Sequence, residues 1–396
     1  MPHRIPLAVA LDGAGWHPAA WREPTARPTE LTSAAYWRDL ARTADDAGIV
    51  FATIEDALSL GGRSSEADAE TRRDRVRGRL DAVLLASFLA PHTRRLGLVP
   101  TVTTTHPEPF HLATGLQTLD HVSRGRGGVR IVAGSTAQER ANFGRRADGP
   151  TGLPASGRVE DDPALLAAFR EAGEVTEAIR RLADSWEDDA IVRDLETGRF
   201  LDRERVHNVE IAGEFFSITG ASIVPRSPQG QPLITALAHQ SVPFRFAAEH
   251  ADLVFITPTD AAAVAGILDE LTAPEREEPL RVFADLLVLV EETRAEAQAV
   301  WDRLQERAPL TTDARVVVGD ADDVVAEIGA LVEAGVDGVR LRPARLPADL
   351  DRIARLVAPR AADAGILAPD TGEPTLRERL GLPRPTSRYA RQEVGA

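Results

Sequence analysis

The chain has 396 residues, no cysteine and a formal charge of −15, and each of its 46 basic residues is an arginine. Without cysteine there are no disulfides, thiolate nucleophiles or Cys-ligated metals, and without lysine there is no Schiff-base chemistry and no P-loop. The acidic balance argues against a nucleic-acid footprint, which needs a basic face, and no apolar run is long enough to span a membrane.

The chain opens on Pro2, His3 and Arg4 and then an apolar stretch, Ile5–Leu11. That stretch is too short for a signal-peptide core and has no small-residue cleavage site, so a soluble, cytoplasmic protein is expected. Ile5–Leu11 instead reads as a buried strand. Ser33–Ala47 reads as a helix with Trp37, Leu40, Ala41 and Ala44 on one face and Gly48 ending it. Ile49–Ile54 is a second strand that stops at Glu55 and Asp56. Arginines 72, 73, 75, 77 and 79 are interleaved with Asp68, Glu70, Asp74 and Asp81, as on a solvated helix or loop. Leu80–Ala90 is helical, Leu96–Val102 is a third strand running into Thr103, Thr104 and Thr105, Pro109–Val122 is a helix and Gly128–Ala133 a fourth strand.

The alternation then breaks. From Gly134 to about Asp162 the chain is rich in Gly, Pro, Ser and Asp, and an insertion this long after a barrel strand usually covers an active site. Helix resumes over Ala164–Trp186, and Val206–Ile211 with Phe215–Ile218 forms a hairpin about Ala212-Gly213. Strands return at Leu233–Leu237, Leu253–Ile256, Val282–Val290 and Gly338–Leu341. Helices run between and after them: one through His250, then Asp260–Leu271, Arg294–Glu306, Asp322–Ala334 and Leu350–Ala362. Eight strands in βα alternation predict a (β/α)8 barrel of the α/β class, one domain over residues 1–396. Residues 134–230 form the insertion region, and a tail, 363–396, wraps the barrel.

In such a barrel the chemistry sits where strands run into their following loops. The polar residues there are Asp12, His17, Glu55, Asp56, Thr103 to Thr105, Arg130 and His239 to Ser241. No H-x-H, H-E-x-x-H or G-x-S-x-G occurs, so neither a barrel metallohydrolase nor a serine hydrolase is expected, and no metal is. His106 and His111, five apart across two prolines, read as structural, and Gly125-Arg126-Gly127-Gly128 precedes a strand and is a turn, not a dinucleotide fingerprint. A pocket with so little reactivity of its own suits a cofactor that brings the chemistry.

The chain resembles the luciferase-like flavin-dependent monooxygenases, in the branch of nitrilotriacetate monooxygenase, pristinamycin synthase and the sulfone monooxygenases. The likeness rests on His17-Pro18-Ala19-Ala20-Trp21-Arg22, Asp56, Leu96-Gly97-Leu98 into Thr103-Thr104-Thr105, and Leu119-Asp120-His121-Val122-Ser123-Arg124-Gly125-Arg126. It continues through Asn142-Phe143-Gly144, Ser185-Trp186 and Pro228-Gln229-Gly230-Gln231-Pro232 to the segment from Thr375 to Pro385. The resemblance implies an FMN site, reduced FMN supplied by a separate flavin reductase, a small organic substrate and a homodimer. It places Asp56, Thr103 and Thr104 at the flavin ring and ribityl edge. The phosphate goes to the turn Ala238–Pro243 at a helix start, with Gln240 and Ser241.

The departures from the family pattern fall on the cofactor. An expected Asn is Arg130, an expected Thr is Ala133 with Ser135 two residues on, an expected Tyr is Phe169, and Pro243 removes a donor from the phosphate turn. Arg130 needs a carboxylate or an anion, and either Asp56 or Glu55 could supply it; alternatively it binds phosphate or reduced flavin. His17 is either substrate-facing or a capped loop histidine, and His239 is the acid–base candidate near the flavin. Two other readings stand beside the monooxygenase: a barrel without flavin that acts as a binding or partner subunit, and a barrel using a deazaflavin.

Overall fold

All eight expected strands form, each mostly apolar and buried over nearly its whole length, as parallel strands between helices require. In the computed structural model, which describes residues 4–60, 74–134, 136–144, 158–271, 278–368 and 372–390, the strands are numbered β1 to β13. They are β1 (Leu7–Leu11), β2 (Phe51–Ile54), β3 (Gly97–Thr103), β4 (Gly128–Val132), β5 (Ile191–Asp194), β6 (Arg199–Leu201), β7 (Val209–Ala212), β8 (Ser217–Gly220), β9 (Leu233–Ala238), β10 (Leu253–Ile256), β11 (Arg281–Val290), β12 (Arg315–Gly319) and β13 (Gly338–Pro343). The barrel runs β1-β2-β3-β4-β9-β10-β11-β13 and closes back on β1, every pairing parallel.

The strand β12 was not anticipated from the sequence. β11 is ten residues long, whereas β10 pairs only with Arg281–Ala284, leaving the upper half of that edge unpaired. Arg315–Gly319 fills it, from Leu286↔Arg315 to Val290↔Gly319, and satisfies backbone groups that would otherwise be orphaned.

Among the described residues the helices of seven residues or more are α1 (Ala34–Asp46), α2 (Ala82–Leu89), α3 (Pro109–Val122), α4 (Ala137–Phe143), α5 (Pro163–Asp184), α6 (Ser241–His250), α7 (Ala261–Glu270), α8 (Arg294–Arg307) and α9 (Ala321–Glu333), and the expected last helix forms as two shorter pieces, Ala348–Arg352 and Ala358–Asp363. Most of their starts follow capping chemistry. Ser33 accepts from Tyr36 N at α1, and Thr136, Thr293 and Asp320 form capping boxes at α4, α8 and α9. The expected hairpin is β7–β8, and a second hairpin, β5–β6, precedes it. Of the arginine-rich stretch, Arg72 and Arg73 lie outside the described residues, as do Ser135 and residues 145–157 of the insertion.

The tail closes the barrel floor. Leu376, Leu380 and Leu382 pack on Phe51, Phe255 and Phe283 at the N-terminal ends of the strands. A Cβ on Gly97 would meet Leu376 Cδ1 at 2.8 Å, so glycine at the start of β3 makes room for the plug. Asp252 locks it, accepting from Arg377 Nη1 at 2.9 Å, Arg180 Nη2 at 2.8 Å and Ile234 N at 2.8 Å. Among the described residues this plug covers the N-terminal ends of the strands, and a cavity lies at their C-terminal ends.

Candidate active site

The loop after β1 is laid across the end of β13. Trp16 N and His17 N donate to Pro343 O and Ala344 O at 3.0 and 2.9 Å. This is possible because residue 15 is glycine: its φ is +116°, and a Cβ there would sit 2.4 Å from Ala344 O. The consequence is positional. Trp16 lies over the guanidinium of Arg342, 3.7 Å from its Cζ, and His17 is buried edge-on against Trp301 with Nδ1 accepting from Ala19 N at 3.2 Å. Burial pushes the His17 pKa down to about 4, so the ring is neutral at neutral pH; Nε2 makes no well-formed hydrogen bond, Gln305 being its polar neighbour.

These residues line a cavity of about 1040 Å3 at the C-terminal ends of the strands. Its apolar lining includes Leu85, Ile131, Phe169, Phe246 and Leu287, and of its six arginines three, Arg130, Arg340 and Arg342, are supplied by barrel strands. Arg130 is paired with Glu55 and donates through Nε to Thr101 Oγ1 at 3.1 Å. Arg340 is held bidentately by the fully buried Asp285, at 2.7 and 2.6 Å, and reaches Thr53 at 3.1 Å. Arg342 lies beyond hydrogen-bond reach of the same carboxylate, 3.6 Å from Asp285 Oδ2.

Of the sequence-predicted residues, Asp12, His17, Glu55, Asp56, Arg130 and His239 line this cavity. Asp12 has a third of its side chain open, and burial pushes its pKa up to about 6, opposed chiefly by Arg79 at 3.9 Å. Asp56 is engaged locally, accepting from Ala57 N at 2.7 Å and Ala82 N at 2.9 Å, so the partner of Arg130 is Glu55 rather than Asp56. Burial raises the Asp56 pKa despite those two bonds.

Thr103 and Thr104 lie off the cavity wall, and Thr104 Oγ1 donates to Val132 O at 3.3 Å. The β3 hydroxyl that reaches the site is that of Thr101, through Arg130.

Gln240 and Ser241 line a second, smaller cavity of about 450 Å3 at the start of α6, and exposed His239 lines both. Gln240 takes Val159 N at 3.1 Å, and Ser241 donates to Glu160 at 2.6 Å, which lowers the Glu160 pKa. Arg158 lies 3.6 Å from Glu160 in the same cavity. The helix start itself has no side-chain cap.

Sequence reasoning missed Arg340, Arg342, Asp285, Arg158 and Glu160. The alternation of Arg340 and Arg342 in β13, and a lone Asp285 in an apolar strand, carried a usable signal. Nothing local marked the other two.

Asp120 and Arg126, in the motif quoted for the family resemblance, turn out to be a clasp outside the cavity. Asp120 accepts from Gly127 N, Gln229 N and Gln229 Nε2, and Arg126 donates to Thr93 and to the carbonyls of Ala90 and Leu96.

The sequence model described as luciferase-like monooxygenase matches residues 16–311. The chain belongs to the luciferase-like monooxygenases. It is 31% identical over 76% of its length to N-acetyl-S-(2-succino)cysteine monooxygenase of Bacillus subtilis (strain 168), and 30% identical over 76% to nitrilotriacetate monooxygenase component A of Aminobacter aminovorans. Those matches span 65% and 66% of the relatives' own length. In fold, this luciferase-like barrel superposes on a long-chain alkane monooxygenase with a TM-score of 0.83, at 23% identity and covering 96% of both chains. Among the described residues no cluster of potential metal ligands occurs, and no helix is long and apolar enough to cross a membrane.

Proposed function

We propose that this protein is the oxygenase of a two-component monooxygenase that takes reduced FMN from a separate flavin reductase and oxygenates a small organic substrate. The observation that carries the reading is the cavity, open at the catalytic face of a luciferase-like barrel and sealed at the other end by the tail. The "component A" in the name of the Aminobacter relative supports the two-component arrangement.

The donor set suits a flavin mononucleotide. The apolar wall of Leu85, Ile131, Phe169, Phe246 and Leu287 accepts a planar ring and excludes water from it. The uncapped start of α6, with Arg158 beside it, offers backbone N–H groups, a helix dipole and a cation to a phosphate. Ser241 would join that set on leaving Glu160. Bound reduced flavin supplies two electrons to dioxygen, one oxygen atom of which enters the substrate while the other leaves as water.

The chain's own residues position and protonate. Asp12, with its pKa near 6, is the group able to hold or release a proton at the cavity wall near neutral pH. His17 stays neutral and acts through its shape and N–H, and His239, at the junction of the two cavities, is the exposed candidate for proton exchange with solvent. Gln240 positions Val159 over the turn.

The reading is tested by supplying reduced FMN through a flavin reductase under labelled dioxygen, with thioethers and amino-acid-derived acids as substrates. Incorporation of one labelled atom that requires both proteins supports it. Reductase-dependent hydrogen peroxide as the sole oxygen product, with no effect of this protein on it, refutes it.

A further inference from the structure

We propose that Arg342 is an anchor for a carboxylate of the substrate, so that this enzyme acts on an organic acid; the inference rests on the monooxygenase reading above and assigns its substrate class. Of the six arginines that line the cavity, Arg130, Arg340 and Arg342 come from barrel strands, and these three are not equivalent. Arg130 is neutralised by Glu55, and Arg340 takes both oxygens of Asp285. Arg342 is what remains. Its side chain is 9% exposed, its Nε is buried without an acceptor, and it donates no hydrogen bond to any described residue; the nearest carboxylate oxygen is 3.6 Å away. A guanidinium has five N–H donors and cannot discharge itself by losing a proton. A buried guanidinium whose carboxylate, Asp285, is shared with Arg340 and lies 3.6 Å away, and whose Nε has no acceptor, gains from a further anionic partner.

The surroundings give that partner its character. Arg342 lines the cavity, stacks on Trp16 at 3.7 Å, and is thereby fixed in the plane in which its fork meets a ligand. Trp16 adds a second unused donor, its buried Nε1 having no acceptor either. A planar, two-oxygen anion is the group that matches a guanidinium fork, which is the geometry of a carboxylate. Burial of Arg342, relieved in part by Asp285, holds its basicity below the usual arginine value, and an incoming anion reverses that burden. The apolar residues in the same lining, within a cavity of about 1040 Å3, leave room for the part of the substrate that is oxygenated.

An anionic group could also come from the flavin, so the test separates the two sources. Succinate, and its uncharged diamide, are titrated into the full-length protein in the presence and absence of FMN, read by tryptophan fluorescence and by thermal shift. Reduced-FMN affinity is measured in parallel. The wild type is expected to bind succinate saturably and to ignore the diamide. Arg342→Gln should weaken succinate by about tenfold or more with reduced-FMN affinity unchanged, since each lost charge-assisted contact costs on the order of a decade. Arg342→Lys, which keeps the charge and loses the fork, should fall between. Melting curves confirm that both variants fold. Three results overturn the proposal: no succinate binding by a wild type that does bind reduced FMN, equal succinate binding in Arg342→Gln, or loss of reduced-FMN affinity in that variant while succinate binding survives. Failure of the wild type to bind reduced FMN is a separate result, and it removes the monooxygenase reading on which the inference stands.

Discussion

Cutting one half of the Arg130–Glu55 pair should cost far more than removing both. The two side chains are 7% and 10% exposed, and Glu55 Oε1 already has no hydrogen-bond partner. Glu55→Gln would remove the carboxylate paired with Arg130, leaving its bond to Thr101 and the more distant charge of Asp12, while Arg130→Asn would leave the buried Glu55 carboxylate with only the longer-range field of Arg342. Breaking a buried pair this way costs about 3–5 kcal/mol, a large share of the roughly 5–15 kcal/mol that holds a domain folded. An apolar double variant, Arg130→Met with Glu55→Leu, keeps volume and strands no charge, so its loss should be smaller than either single loss. Equilibrium unfolding in urea, without flavin, reads all four proteins. Single variants that each lose less than about 1 kcal/mol, with an additive double, would show that the pair does not support the fold, and Arg130 would then be free to serve as an anion-binding group.

Three further outcomes are expected. His17 has its native pKa pushed below its ordinary value to about 4, so its contribution is fully present above pH 6.5 and is lost as pH falls towards 4. Unfolding free energies from urea titrations at neutral and mildly acid pH should therefore fall less for His17→Gln than for the wild type, by up to about 3 kcal/mol; equal losses would contradict this. Asp12 is shifted the other way, from 3.8 to about 6, so the fold binds its proton more tightly than the unfolded chain and loses stability as pH rises through that window. Asp12→Asn should gain stability over the wild type above pH 6, by about 1 kcal/mol once the open third of the side chain is discounted, with little gain near pH 4. Leu376→Ala, which empties part of the tail plug, should cost about 2–5 kcal/mol in urea unfolding, and a loss below about 1 kcal/mol would mean that the tail is not part of the barrel core.

The barrel was legible because its strands are apolar runs bounded by polar strand ends, and eight such runs in βα alternation leave few alternatives. Arg315–Gly319 escaped because its reason for existing is remote: it pairs with the half of β11 that β10 does not reach. The cavity lining was legible where position alone decides, as for Asp12 and Glu55 just past the ends of β1 and β2. It was obscured where side-chain partners decide. Asp56 looks free in the sequence, but both its oxygens take backbone N–H groups. Ser241 looks like a phosphate donor and is engaged by Glu160, 81 residues away. Arg342 became visible as a cation without a hydrogen-bonded carboxylate only once Arg340 was seen to take both oxygens of Asp285.

The most direct test is an anaerobic titration of the purified protein with reduced FMN, followed by mixing with oxygenated buffer while flavin absorbance is recorded. The account predicts saturable binding in the micromolar range, weaker binding of reduced riboflavin because the α6 start has no phosphate to hold, and reoxidation whose time course differs from that of free flavin. Absence of binding by reduced FMN, with reoxidation identical to the free cofactor, would contradict it and leave the barrel as a binding subunit or the host of another cofactor.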